Sequence, residues 1–200
     1  MDATAQPVVN RDHPTLLLIR GLPGSGKSYL AKALRDTLGA DNVVLLDPDS
    51  TDYESQAYKD MSAALTAEGV EEKFHPYRFV RAQAYQGITD HKIVIWNQAF
   101  TNLDGFNKTV VNLQTYAADH GTTLPLLVVE VEVDHDTAKA RVAERAAQGG
   151  HDVTEENFAR FIGDYRSFAD EGFTTVSVRG DDDVQTSAQA VLTALQNLEK

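Results

Sequence analysis

The run Gly21-Leu22-Pro23-Gly24-Ser25-Gly26-Lys27-Ser28 fills the spacing G-x-x-x-x-G-K-[ST] at every fixed position. That spacing holds nucleotide phosphates. Glycines let successive backbone N–H groups turn inward around an anion. A helix leaving the loop adds the positive end of its dipole. Lys27 is expected on the β- and γ-phosphates of ATP, and Ser28 on Mg²⁺ through its hydroxyl. Gly21, Leu22, Pro23, Gly24, Ser25, Gly26, Lys27, Ser28 and Tyr29 are thus the candidate nucleotide-binding set. The loop alone does not separate a kinase from an NTPase or a switch.

Three further groupings bear on that choice. Asp47-Pro48-Asp49 places two carboxylates two residues apart. One can accept the proton of an attacking hydroxyl while the other serves Mg²⁺ or the substrate. The competing reading is an Asx-type turn or helix cap. Arg141 and Arg145 stand four apart on a helical pattern closed by Gly149-Gly150. They would neutralise charge on a phosphoryl group in transfer, or else belong to a solvated surface. His75-Pro76-Tyr77-Arg78-Phe79-Val80-Arg81 gathers arginines and aromatics in an acidic chain. That suits an anionic or ring-bearing acceptor bound by Arg78 and Arg81, or equally a helix with an aromatic core face.

One position is conspicuous for what it lacks. Many phosphate-loop enzymes carry an acid at the end of a later strand to orient Mg²⁺. Here Trp96 and Asn97 stand in that place. Asn97 or Gln98 could hydrogen-bond a metal-bound water, leaving Asp47 or Asp49 to supply the charge. Trp96 suits core packing and ligand stacking equally. His13, His91, His120, His135 and His151 show no metal-ligand spacing, and Asp181-Asp182-Asp183 reads as the start of a helix.

The elements that would position these groups alternate. Strands are expected over residues 14–20, 43–46, 92–96, 124–133 and 173–178. Helices are expected over 27–39, 53–68, 76–88, 102–120, 136–148, 154–170 and 184–198. Such alternation implies an α/β fold with a parallel sheet and helices on both faces. Glu130 and Glu132 interrupt the fourth strand with charge, so one face there is solvated or ends in a polar cleft. No repeat or linker breaks the chain, which we read as a tail over residues 1–13 and one domain over 14–200.

Composition sets the outer limits. The 200 residues carry 30 acidic and 18 basic side chains, a formal net charge of −12, and no cysteine. Disulfide scaffolds, thiol catalysis and cysteine-bound metals are therefore excluded. No stretch nears the roughly 18 apolar residues of a membrane span, and residues 1–13 lack the apolar core of a signal peptide. A cytoplasmic protein is the expectation. The acidic surplus disfavours a nucleic-acid partner unless a local basic groove exists.

Taken together, the loop, Asp47-Pro48-Asp49 after the second strand, and Arg141 and Arg145 after the fourth resemble a group of small phosphate-loop kinases. It includes polynucleotide 5′-kinase, zeta toxin and chloramphenicol phosphotransferase. The resemblance spans roughly residues 16–178. It implies a three-layer fold with about five parallel strands, ATP and Mg²⁺ as cofactors, and transfer of the γ-phosphoryl group to a hydroxyl. It further implies Asp49 as base and Asp47 in support at metal or substrate. Arg141 and Arg145 would lie on a lid over about 136–152, and Arg179-Gly180 beside the adenine. Pro76, Tyr77 and Arg81 match a Pro-Tyr…Arg stretch near the zeta-toxin acceptor, which is a UDP-amino sugar. Zeta toxins usually carry a Glu near Trp96, are often longer, and pair with an antitoxin. The expected function is an ATP-dependent kinase acting on a small molecule such as a nucleotide, nucleoside or nucleotide sugar. The alternatives are a polynucleotide 5′-hydroxyl kinase, or a nucleotide-binding toxin or regulatory module without efficient catalysis.

Overall fold

The computed structural model describes residues 12–149 and 153–198. Most of the expected tail (residues 1–11) and the end of the expected lid (150–152, with Gly150 and His151) lie outside them.

The apolar runs form strands β1 (Thr15–Arg20), β2 (Val43–Leu46), β3 (Ile93–Asn97), β4 (Leu126–Glu132) and β5 (Thr175–Arg179). All neighbours pair in parallel, in the order β2-β3-β1-β4-β5. Parallel pairing requires crossovers, and helices supply them: α1 (Lys27–Leu38), α2 (Gln56–Ala67), α3 (His75–Thr89), α4 (Leu103–Asp119), α5 (His135–Ala147), α6 (Glu155–Asp164) and α7 (Val184–Leu198). Successive β1 side chains point to opposite faces and feed two cores. Leu17 and Ile19 pack with α1 and α7, as through Leu34 and Leu192. Leu16 and Leu18 pack on the other face with Val80 of α3 and Phe106 and Leu113 of α4. The result is the expected three-layer α/β architecture. No helix among the described residues is long and apolar enough to cross a membrane.

Two expectations change. The helix expected over 53–68 begins at Gln56, because residues 47–55 hydrogen-bond locally and Ser55 caps the helix by accepting from Tyr58 N. The helix expected over 154–170 stops at Asp164. Tyr165 is extended, and a single 3₁₀ turn follows at Ala169–Glu171.

The cause of that stop is a buried ion pair. Arg20 and Glu130 sit opposite each other in the β1–β4 register, on the face that carries Leu16, Leu18 and Val128. Both are fully buried, and Arg20 Nη1 donates to Glu130 Oε1. The pair then captures the chain beyond α6. Arg20 Nη1 also donates to Arg166 O, while Glu130 accepts from Phe168 N and Ser167 Oγ. Backbone groups that would extend α6 are thus bonded to the sheet. The guanidinium also stacks over the Phe168 and Tyr165 rings at 3.6 and 4.3 Å. Burial pushes the Tyr165 phenol up to about 12, with Arg20 pulling the other way, so the ring stays neutral. Glu130 therefore lies in neither a solvated face nor an open cleft; only Glu132 is exposed.

Candidate active site

The phosphate loop leaves the carboxyl end of β1, where ligands bind in open α/β sheets. It is built by close approach. Gly24 adopts φ +80°, and a Cβ there would overlap the carbonyl oxygen of Ala138 on α5. At Gly180, just after β5, a Cβ would overlap Ser25 O. Arg141 Nη1 ties these parts together by donating to Gly24 O at 3.3 Å and to Gly180 O at 3.0 Å. Gly180→Ala is therefore expected to push the loop outward, costing about 1–3 kcal/mol of stability and weakening ATP binding. Thermal melts and ATP titration check this; wild-type values in both would overturn it.

A cleft of about 950 Å³ opens over the loop. Pro23, Gly24, Gly26, Lys27, Ser28 and Tyr29 line it. The loop residues Gly21, Leu22 and Ser25 are buried and do not line it. Lys27 Nζ donates to Gly21 O and Leu22 O at 3.0 and 2.9 Å. Burial pushes this ammonium down to about 8; Asp49 and Asp47 oppose the fall, and Arg145 adds to it. Phosphate would favour the charged form and raise the pKa again. ATP binding is thus expected to take up a proton near pH 8.5, and affinity to fall as pH rises through 8 by up to about tenfold per unit. Calorimetry in two buffers of different ionisation enthalpy reads the uptake; identical heats would sink it.

The two carboxylates differ in kind. Asp47, half-buried at the end of β2, is held by three hydrogen bonds: its Oδ2 accepts from Asn97 Nδ2 at 2.7 Å and Ser28 Oγ at 3.3 Å, and its Oδ1 from Asp49 N at 3.1 Å. Asn97 Nδ2 also lies 3.0 Å from Ser28 Oγ. The Asn97 amide, in the place of the missing acid, thus joins the ends of β2 and β3 to the start of α1. The Asp49 carboxylate is exposed and faces the cleft, and among the described residues no hydrogen bond ties it down.

Ser28 and Asp47 also bear on the metal. They present hard oxygen donors side by side, and Asn97 Oδ1 is buried beside them without a partner. Mg²⁺ takes few protein ligands and keeps waters and phosphate oxygens, so this set fits it. No cluster of three or more His, Cys, Asp or Glu side chains suited to a metal occurs among the described residues.

The remaining candidates divide. Arg141 and Arg145 line the cleft from α5, and Arg179 lines it from the end of β5, where it forms a two-pronged bond to Asp181 at 2.9 and 2.7 Å. Arg78 is exposed and Arg81 half-buried, and neither lines the cleft. The Arg81 guanidinium lies over the Tyr77 and Tyr85 rings at 5.3 and 5.8 Å. Trp96 is fully buried among Tyr77 and Phe100, which settles it as core. Tyr77 lines the cleft from α3, and Gln98 from the end of β3. Phe100, Thr101 and Thr109 line it too, and the sequence marks them only by their position in the loop and helix after β3.

A parallel sheet in this order, with a phosphate loop after β1 and carboxylates after β2, defines the fold of the small phosphate-loop kinases. The zeta toxin family model matches residues 2–192, and the chain belongs to that family. No curated protein matches it significantly. Among solved structures, a gluconokinase from Sinorhizobium meliloti 1021 is 14% identical at TM-score 0.56, covering 93% of this chain and 94% of its own. The PezAT chromosomal toxin–antitoxin system of Streptococcus pneumoniae gives 14% identity at TM-score 0.58, over 94% of this chain and 77% of the other. Deoxyadenosine kinase from M. mycoides with bound dATP gives 18% identity at TM-score 0.53, over 90% and 99%. These three likenesses establish fold.

Proposed function

We propose that this protein is an ATP-dependent kinase that transfers the γ-phosphoryl group to a hydroxyl of a small molecule. The observation that carries the reading is the division of labour between the carboxylates, with Asp47 held by Asn97 and Ser28 while Asp49 stands open on the cleft that Lys27 lines. The acceptor oxygen attacks the γ-phosphorus, the bond to the β–γ bridging oxygen breaks, and ADP leaves. The hydroxyl proton passes to the Asp49 carboxylate and then to solvent. Lys27 and the loop amides hold the phosphates, with Arg179 and Gly180 toward the base. Ser28 and Asp47 would hold Mg²⁺, which neutralises phosphate charge. Arg141 and Arg145 oppose the charge on the phosphoryl group from α5.

We read residues 14–200 as one kinase domain, with 136–152 as its lid. Arg145→Ala is expected to lower phosphoryl transfer about 10²-fold, as when one preorganised transition-state donor is lost. The PezAT likeness supports an antitoxin as a partner of this chain. The direct test is [γ-³²P]ATP with a panel of hydroxyl compounds, reading label in the acceptor and ADP release. ATP binding with no acceptor-dependent release across the panel would leave a nucleotide-binding module and refute the kinase.

A further inference from the structure

Sheet order separates the two ends of the cleft. On one side of β1 lie β4 and then β5, whose end carries Arg179 and Gly180, toward the base in the kinase reading. On the other lie β3 and then β2, and Asp49 follows β2. An acceptor that meets Asp49 therefore comes in over the end of β3. There the β3–α4 loop lines the cleft with Gln98, Ala99, Phe100, Thr101 and Asn102, next to Asn97.

Both ends of this loop are pinned locally. Gln98 N donates to Ile19 O at 3.1 Å, and Gln98 Oε1 accepts from Trp96 Nε1 at 3.1 Å. Asn102 caps α4 by accepting from Gly105 N at 2.8 Å. The middle is held from a distance. Among the described residues, the one hydrogen bond to Ala99, Phe100 or Thr101 comes from Arg20, whose Nε donates to Phe100 O at 3.3 Å.

Phe100 needs that hold. Its φ is +45°, in the left-handed region that a bulky aromatic residue rarely enters. Such a conformation persists only where the surroundings fix it. The nearly buried ring packs against Trp96 and Phe106, with centroids at 6.3 and 5.5 Å, and Arg20 fixes the carbonyl. Without the guanidinium, that carbonyl loses its partner and the backbone is free to relax toward an ordinary φ, re-aiming Thr101.

Arg20 does not itself line the cleft. Neutralising Glu130 does not account for it either, since a buried ion pair adds little net stability over apolar residues of like volume. What an apolar pair lacks is direction. The rigid fork sends Nε to Phe100 O and Nη1 to Glu130 and Arg166 O at once. A lysine keeps the charge but offers a single nitrogen on a flexible stem.

We propose that Arg20 is a positioning residue for the acceptor: through Phe100 O it holds the β3–α4 loop in the shape that presents Gln98, Thr101 and Asn102 to it. This rests on the kinase reading for which side of the cleft the acceptor takes, but the shape of the loop is readable without turnover. The full chain is compared with Arg20→Lys, which keeps a charge opposite Glu130. The double variant Arg20→Met with Glu130→Leu, which buries no charge, serves where the lysine variant fails to melt cooperatively. Trp96 is the one tryptophan of the protein and packs on this loop, so its fluorescence reports the loop's state. Acrylamide quenching of Trp96 under native conditions is expected to rise at least about twofold, as for a locally opened segment. Affinity for Mg²⁺ with a non-hydrolysable ATP analogue is expected to stay within about twofold. With UDP-N-acetylglucosamine as the acceptor probe, the acceptor KM is expected to rise at least about tenfold while the ATP KM holds. A role in stability alone would be rescued by lysine and would not split the two constants. Wild-type quenching in the variant, or acceptor and ATP constants that change together, would overturn the proposal. Absence of phosphoryl transfer by the wild type to any hydroxyl compound would instead count against the kinase reading, and the Trp96 quenching would then decide the role of Arg20 by itself.

Discussion

Asp49→Asn is expected to cut acceptor-dependent phosphoryl transfer by about 10²–10⁴-fold, the usual worth of a general base. The change is nearly isosteric and leaves the Asp49 backbone N–H on Asp47 Oδ1 untouched, so the turn after β2 is retained. It also removes a negative charge from the region of the transferring phosphate, so ATP affinity is expected to hold or rise. Asp47→Asn is expected to behave differently. It disturbs the junction of Ser28 and Asn97 and raises the Mg²⁺ concentration needed for activity. Steady-state kinetics over acceptor and Mg²⁺, with ATP binding measured separately, distinguish the two. Full activity in Asp49→Asn would remove the central assignment; a Mg²⁺ effect in Asp49→Asn and a pure rate effect in Asp47→Asn would exchange the roles.

The second large effect concerns stability. Glu130→Ala is expected to cost about 3–5 kcal/mol, because it leaves the Arg20 guanidinium buried without its counter-charge. It also strips partners from Phe168 N and Ser167 Oγ, freeing the segment that joins α6 to β5. Replacing both partners by apolar residues, as in Arg20→Met with Glu130→Leu, is expected to recover part of the loss. Recovery stays incomplete because Arg166 O, Phe100 O and Phe168 N would still lack the bonds the pair provides. Urea unfolding with matched slopes measures each variant. A single Glu130→Ala within about 1 kcal/mol of wild type would mean that water or relaxation replaces the pair, and would refute the anchoring role.

The sequence by itself determined the features that rest on local chemistry. A phosphate loop is contiguous backbone, so Gly21 to Ser28 are legible without a fold. Strand–helix alternation is set by apolar spacing, and parallel order follows from the crossovers. Asp47 and Asp49 are placed by the strand that precedes them. The tertiary structure decided whatever depends on distant parts meeting. Arg20 and Glu130 are 110 positions apart, and each alone reads as a polar strand end; only the β1–β4 register makes them one buried pair that halts α6. Asn97 reads as a missing acid until β2, β3 and α1 bring it to Asp47 and Ser28. Arg81 lies one turn from a cleft residue, yet ring stacking on its own helix draws its charge away. Charge can be counted along a chain, but which cations face a cleft is set by packing.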